Sequence, residues 1–270
     1  MLAAAAPGVS PGKPYCFWAD QNEATVGEFE AWRATATGSW SEECAWKTAI
    51  SNPVAAWEDA GGSSSDIACI GMLWALETSI PFDPSKAIRC VDWCDAERFC
   101  ETTGERLCTA YAGEPGNYEP EPDEFGFLCG GPTVSLFPYD SDGVGESGVC
   151  NVGWTPDGGC EINLSHGPID GCGPQPPTLA FRGCVSPTGV TDAVGDVQEW
   201  VEECSIASGP AADVLCYREG GSFATPLVNA TCSSQGGVAA ARDEKDPFTG
   251  IRCCASLTAA EMGAAGGSGG

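Results

Sequence analysis

The chain has 270 residues, with 12 Lys and Arg against 38 Asp and Glu and a formal net charge of −26. Such a surface repels phosphate backbones and anionic lipid, which excludes nucleic-acid binding; most of the acids read as a solvated surface, and the excess also suits an extracellular protein that holds divalent cations. Seventeen cysteines accompany one histidine, His166, and no Cys-x-x-Cys pair, so zinc or iron clusters lack their usual ligands and disulfides in an oxidising compartment are the better reading.

Residues 1–14, MLAAAAPGVSPGKP, read as a leader remnant or flexible N-terminus. The run TVGEFEAWRA places Val26, Phe29 and Trp32 at helical spacing behind Thr25, which is placed to cap a short amphipathic helix. A Ser- and Gly-rich loop is expected around GGSSSD, and AIRCV reads as a strand. DWCDAERFCETTG reads as a helix with Asp92 as N-cap and Gly104 just past its end. Between Cys108 and Cys184 glycine and proline are frequent, so crosslinked loops are expected there. VGDVQEWVEEC alternates apolar and acidic residues, and YREGGSF and TGIRCCA read as the last two core strands. EMGAAGGSGG closes a flexible tail over 258–270, and no stretch approaches the ~20 apolar residues of a membrane span. The cysteines run from Cys16 to Cys254 without a gap that would separate two halves. Mixed short elements in one chain of this length give an α+β domain, loop-rich and disulfide-stapled.

Four blocks, NEATVGEF, VDWCDAERFCETTGERLCT, DAVGDVQEW and REGGSF followed by GIRC, resemble the formylglycine-generating enzyme or sulfatase-modifying factor family in its order, over a domain placed at 15–257. The resemblance implies a variant of the C-type-lectin-like fold. Enzymes of this family that oxidise a substrate cysteine carry a copper-binding cysteine pair after the Gly-Gly-Ser-aromatic block, and those places fall here on Thr225 and Ala230. Neither replaces a thiolate, so no catalytic residue and no copper are expected. The iron-dependent branch needs a further helical domain with histidine ligands, which this chain lacks, so no iron is expected either. The family's calcium instead finds matching residues in DAVGDVQEW: a side chain from Asp192, carbonyls from Gly195 and Val197, and the Glu199 carboxylate. A second implied calcium site uses Asn151 and the Val152 carbonyl. The bland alternative is that Asp196 and Glu199 are surface acids and Asp192 a turn former.

Helix geometry sets Cys94 and Cys100 about 120° apart with about 9 Å of rise between them, so they take different partners. Adjacent Cys253 and Cys254 leave a strand on opposite faces. The resemblance implies Cys100 with Cys253 and Cys129 with Cys232, and Cys94 with Cys108 and Cys204 with Cys216 are expected as well.

Other constellations have weaker readings. GNYEPEPDEF offers carboxylates for a glycosidase or, in Glu121-Pro122-Asp123, a lectin-like tripeptide, against a solvated loop. Tryptophans crowd the first third, where some would line a groove if they are not core. Asn163-Leu164-Ser165 and Asn229-Ala230-Thr231 are glycosylation sequons. The sequence thus describes a secreted or surface-displayed, calcium-stabilised, non-catalytic scaffold presenting loops to a protein, peptide or glycan ligand. The alternatives are a cysteine oxidoreductase using another thiol, and a calcium-dependent lectin.

Overall fold

The computed structural model describes residues 2–7, 14–57, 63–76, 83–110, 123–133, 135–139, 149–153, 183–205, 210–232 and 239–257. Strand β1 (Leu2–Pro7) pairs antiparallel with β2 (Pro14–Ala19), so residues 2–7, read as flexible, cover an otherwise open sheet edge. Helix α1 (Val26–Thr35) begins where the Thr25 hydroxyl accepts the Glu28 N–H and the Glu28 carboxylate accepts the Thr25 N–H. This reciprocal box satisfies two orphan donors, and Val26, Phe29 and Trp32 face inward as their spacing predicts.

Helix α2 spans Pro53–Trp57 and α3 spans Ser64–Leu76. The serine run expected as a loop opens α3, because Asp66 accepts the Ser63 N–H at 2.8 Å and the Ser63 hydroxyl accepts the Asp66 N–H at 3.1 Å. AIRCV is not a strand: Ala87 makes only an isolated bridge to Thr25, and Cys90 sits at φ 61°, a left-handed turn that ends pairing. Helix α4 (Trp93–Thr102) has Asp92 as its N-cap, and Gly104 follows its end at φ 82°. After β3 (Arg106–Leu107), the expected loop region contains helix α5 (Glu124–Gly130). Asp123 caps it by accepting the Gly126 N–H at 2.6 Å. The last residue of the lectin-like tripeptide therefore caps a helix.

Strands β4 (Gln198–Cys204), β5 (Leu215–Glu219), β6 (Ala240–Ala241), β7 (Thr249–Gly250) and β8 (Cys253–Ser256) complete two sheets, ordered β1-β2-β8-β3 and β6-β5-β4-β7. TGIRCCA is thus two strands in different sheets, with buried Ile251 and Arg252 crossing between them. Pairings are antiparallel except β4 with β7.

One apolar cluster gathers α1, α4 and β4 residues, with Phe29, Trp32 and Phe99 in mutual ring contact at 5.1–6.0 Å. The other surrounds α5, where Phe125, Phe127 and Leu128 pack with Phe17, Val194 and Val201. Two indoles join helix to sheet: Trp93 donates to the Val201 carbonyl at 2.8 Å and Trp200 donates to the Val91 carbonyl at 3.1 Å.

Among the described residues the structure forms Cys100–Cys253, Cys129–Cys232 and Cys204–Cys216, and also Cys69–Cys90 and Cys150–Cys184. The expected Cys94–Cys108 pair is corrected: Cys94 bonds Cys44, and Cys108 bonds Cys254. Cys94 lies in the first turn of α4, whereas the chain leaves that helix at Thr102, about 12 Å farther along its axis. Cys108 continues β3 beside β8 and reaches Cys254 there. Adjacent Cys253 and Cys254 do take separate partners.

Candidate functional site

The loop before β4 turns on three residues with positive φ: Asp192 at 53°, Gly195 at 86° and Asp196 at 51°. At Gly195 a Cβ would lie 2.4 Å from the Asn151 carbonyl oxygen, so only glycine permits this approach. The Asn151 carbonyl accepts the Asp196 N–H at 2.9 Å, and its side-chain amide donates to Asp196 Oδ1 at 3.2 Å. The Asp196 carbonyl accepts the Phe223 N–H at 3.0 Å, which ties this loop to the Gly-Gly-Ser-Phe turn.

Four buried carboxyl groups lie in and around this loop and influence one another electrostatically: Glu23, Asp192, Asp196 and Glu199. Glu23 Oε1 accepts the Val197 N–H at 3.3 Å. Glu199 Oε1 accepts from Arg252 Nε at 2.8 Å and Nη2 at 2.7 Å, while its Oε2 is buried with no hydrogen-bond donor among the described residues. Arg252 also donates to the carbonyls of Asp20 and Thr191, so one fully enclosed guanidinium fixes the crossover between the sheets to this loop. Burial, then Asp196, Asp192 and Glu199, pushes the Glu23 carboxyl well above its ordinary range, with Arg252 opposing. Burial likewise raises Asp196, against Arg89, and Glu199, against Arg252. Burial thus disfavours the charged form of these carboxyls, and a further cation would oppose that effect.

The donor set fits a hard, oxygen-bound divalent cation. Asp192 and Glu199 both bring buried carboxylates, on either side of the backbone of Gly195 and buried Val197. Asp196 and Glu199 are buried rather than surface acids, whereas Asp192, at φ 53°, does form the turn. Asn151 and Val152 are buried against the same loop and form its wall. Residues 154–182, where further ligands of the second expected site would fall, lie outside the described residues, as do His166, Glu121, Pro122 and the Asn163 sequon. Elsewhere Asp20, Glu105 and Cys253 bring donor atoms within 4.8 Å of one another, but the Cys253 sulfur is bonded to Cys100.

The sequence blocks contained Glu23, Arg252 and Asp196 without revealing their roles. Glu23 precedes a helix cap and Arg252 sits between two strands, so only the tertiary fold brings them to the loop.

Thr225 and Ala230 occupy a closed turn. The Thr225 hydroxyl accepts the Ser222 N–H at 2.8 Å, and the Thr225 carbonyl accepts the Gly153 N–H at 2.9 Å. Ala230 is fully buried behind the 3-10 turn Leu227–Asn229. The thiol nearest in sequence, Cys232, is consumed by Cys129. Among the tryptophans, Trp32, Trp93 and Trp200 are core residues, whereas Trp46 is exposed. A groove of about 510 Å³ opens between Phe137, Pro138, Tyr139, Val185, Ser186 and Pro187, with the Phe137 and Tyr139 rings stacked at 5.9 Å.

Two small sheets with capped helices, stapled by disulfides around an acidic loop, define an α+β domain of the formylglycine-generating-enzyme-like fold. The family profile described as the sulfatase-modifying factor enzyme 1-like domain matches residues 13–257, and the chain belongs to that family. No curated protein matches the chain. Among solved structures it is similar to CarF, with a TM-score of 0.52 and 13% identity over 95% of this chain and 98% of that one. PvdO from Pseudomonas aeruginosa aligns with a TM-score of 0.49 and 16% identity, over 94% of this chain and 91% of that one. Treponema denticola variable protein 1 aligns at 0.44 with 12% identity, over 95% and 92%.

Proposed function

We propose that this protein is a secreted or surface-displayed member of the family that performs no cysteine oxidation and serves as a calcium-stabilised scaffold, presenting loops to a protein, peptide or glycan ligand. The observation that carries the reading is the turn around Thr225 and Ala230. A threonine hydroxyl engaged by its own backbone and a buried methyl group stand where the family resemblance puts a thiol pair, and Cys232 is locked in a disulfide. Neither replacement binds copper(I) or attacks as a thiolate.

Calcium would be held by the Asp192 and Glu199 carboxylates and the Gly195 and Val197 carbonyls, supplying positive charge where acids are in excess. The groove beside Phe137 and Tyr139 offers a place for a ligand to dock. The disulfides are consistent with an extracellular or periplasmic location, and no helix among the described residues is long and apolar enough to cross a membrane.

The deciding experiment incubates the protein with copper, oxygen and a cysteine-containing sulfatase-type peptide and assays for aldehyde by mass spectrometry. Unchanged peptide is the expected result. Formylglycine product would overturn the reading in favour of an oxidoreductase using another thiol. Calcium-dependent retention on a glycan array would instead identify the ligand class as carbohydrate.

A further inference from the structure

Lys47, Asp92 and Asp95 form a buried cluster away from the acidic loop, with side chains 4%, 2% and 0% exposed. Lys47 Nζ touches Asp92 Oδ2 and lies 2.8 Å from Asp95 Oδ2. Asp95 is held in turn by the backbone N–H and hydroxyl of Ser51, and the Trp40 ring lies 5.2 Å from Nζ. Another buried lysine pair, Lys245 with Asp66, involves one carboxylate. A primary amine against two carboxyls, shielded from water, is the group arrangement for amide formation as well as for an ion pair.

We propose that this cluster is an autocatalytic crosslinking site, which joins Lys47 Nζ to Asp92 Cγ in an amide bond with loss of one water. The two carboxylate oxygens of Asp92 already have separate roles. Oδ1 accepts the Asp95 N–H at 3.0 Å, at the positive end of α4, whereas Oδ2 faces the amine. Negative charge developing on Oδ1 therefore meets a donor in place, and Oδ2 is the oxygen positioned to leave.

The step balances without an oxidant or cofactor. The Lys47 proton passes to a touching carboxylate, and the neutral nitrogen adds to Cγ of protonated Asp92. Asp95 takes a proton from the nitrogen and delivers it to Oδ2. The Cγ–Oδ2 bond breaks, and water leaves with that proton and the carboxyl's own. Burial, followed by Asp95, raises the Asp92 carboxyl to about 7, which keeps a protonated fraction near neutrality. Burial lowers the Lys47 ammonium, but Asp95 and Asp92 more than offset it, so the reactive amine is a minor species. One turnover per molecule is enough. The Cys44–Cys94 disulfide, three residues before Lys47 and two after Asp92, holds the reactants together and raises their effective concentration.

Intact mass of the fully reduced, denatured wild-type protein tests the site directly. The expected mass is one water below that of the sequence, and digestion should yield a branched peptide joining Lys47 to Asp92. Lys47→Arg keeps the ion pair but has no amine for the bond, so it should fold and show the full mass. Asp95→Asn should slow crosslinking by about 100-fold. Wild-type protein at its full sequence mass after prolonged incubation at neutral pH overturns the proposal and leaves an ion pair. A water loss mapped to any other residue overturns it equally.

Discussion

Glu199 divides its carboxylate between two roles: Oε1 takes the Arg252 guanidinium, and Oε2 is buried without a donor among the described residues. Amidation would keep the shape and remove the charge. If the loop holds calcium, the wild-type protein should melt higher with the ion than with chelator, by a free energy near 2.7 kcal/mol at about 100 times Kd. Glu199→Gln should lose most of that difference, and equal melts in both proteins would remove the site. A pH dependence follows from the same residues. Glu23, Asp196 and Glu199 are raised in the folded state, chiefly by burial, and Glu203 and Glu97 are raised to about 7, again by burial first. The folded protein therefore binds more protons than the unfolded chain, and the stability from these groups is full below their ordinary values and lost as pH rises through the raised ones. Metal-free protein should be less stable at about pH 8 than at about pH 5, while the calcium-induced rise should grow over the same interval. Melts in chelator that rise toward alkaline pH would contradict the burial of these acids.

Individual elements owe their positions to local chemistry and to crosslinks in different proportions. The Thr25 box stabilises α1 through two backbone donors, and Thr25→Ala should cost about 1 kcal/mol in urea unfolding. The Cys100–Cys253 bridge spans 153 residues and Cys204–Cys216 spans 12. In the chain-entropy view, removing the first pair as a double alanine variant should cost ~5 kcal/mol and the second ~3 kcal/mol. A larger loss from the short bridge would show that native strain or residual structure dominates. Helices α1 and α4 were legible in sequence because cap and apolar spacing lie within a dozen residues. Helix α3 was hidden because its cap, Ser63 with Asp66, sits in a serine run that reads as loop, and α5 because Asp123 follows a proline-rich stretch. AIRCV looked like a strand from its apolar residues, but the turn at Cys90, bonded to Cys69, overrides that preference.

Across the whole molecule, the family and fold were readable from four ordered blocks, and the position of the acidic loop came with them. What those blocks left unread was convergence. Glu23 and Arg252 are 229 residues apart in number, yet both face the 192–199 loop, and no local pattern links them. The Cys94 partner differs for a related reason: a helix separates in space what is close in sequence, and a short 3-10 turn, Glu42–Cys44, 50 residues earlier supplies the thiol instead.

The crossing of Ile251 and Arg252 between β7 and β8 also sets a timetable for oxidative folding. Both sheets await strands from the last part of the described chain: β8 lies between β2 and β3, and β7 borders β4. Cys100 and Cys108 must meanwhile remain available until residues 253 and 254 arrive, whereas Cys44 and Cys94 meet much sooner. During vectorial synthesis the earlier thiols are thus exposed to wrong partners, and recovery depends on thiol–disulfide exchange once the final strands dock. Oxidative refolding yield should respond strongly to added disulfide isomerase, and a chain ending before Thr249 should accumulate scrambled species that no isomerase converts to a single product.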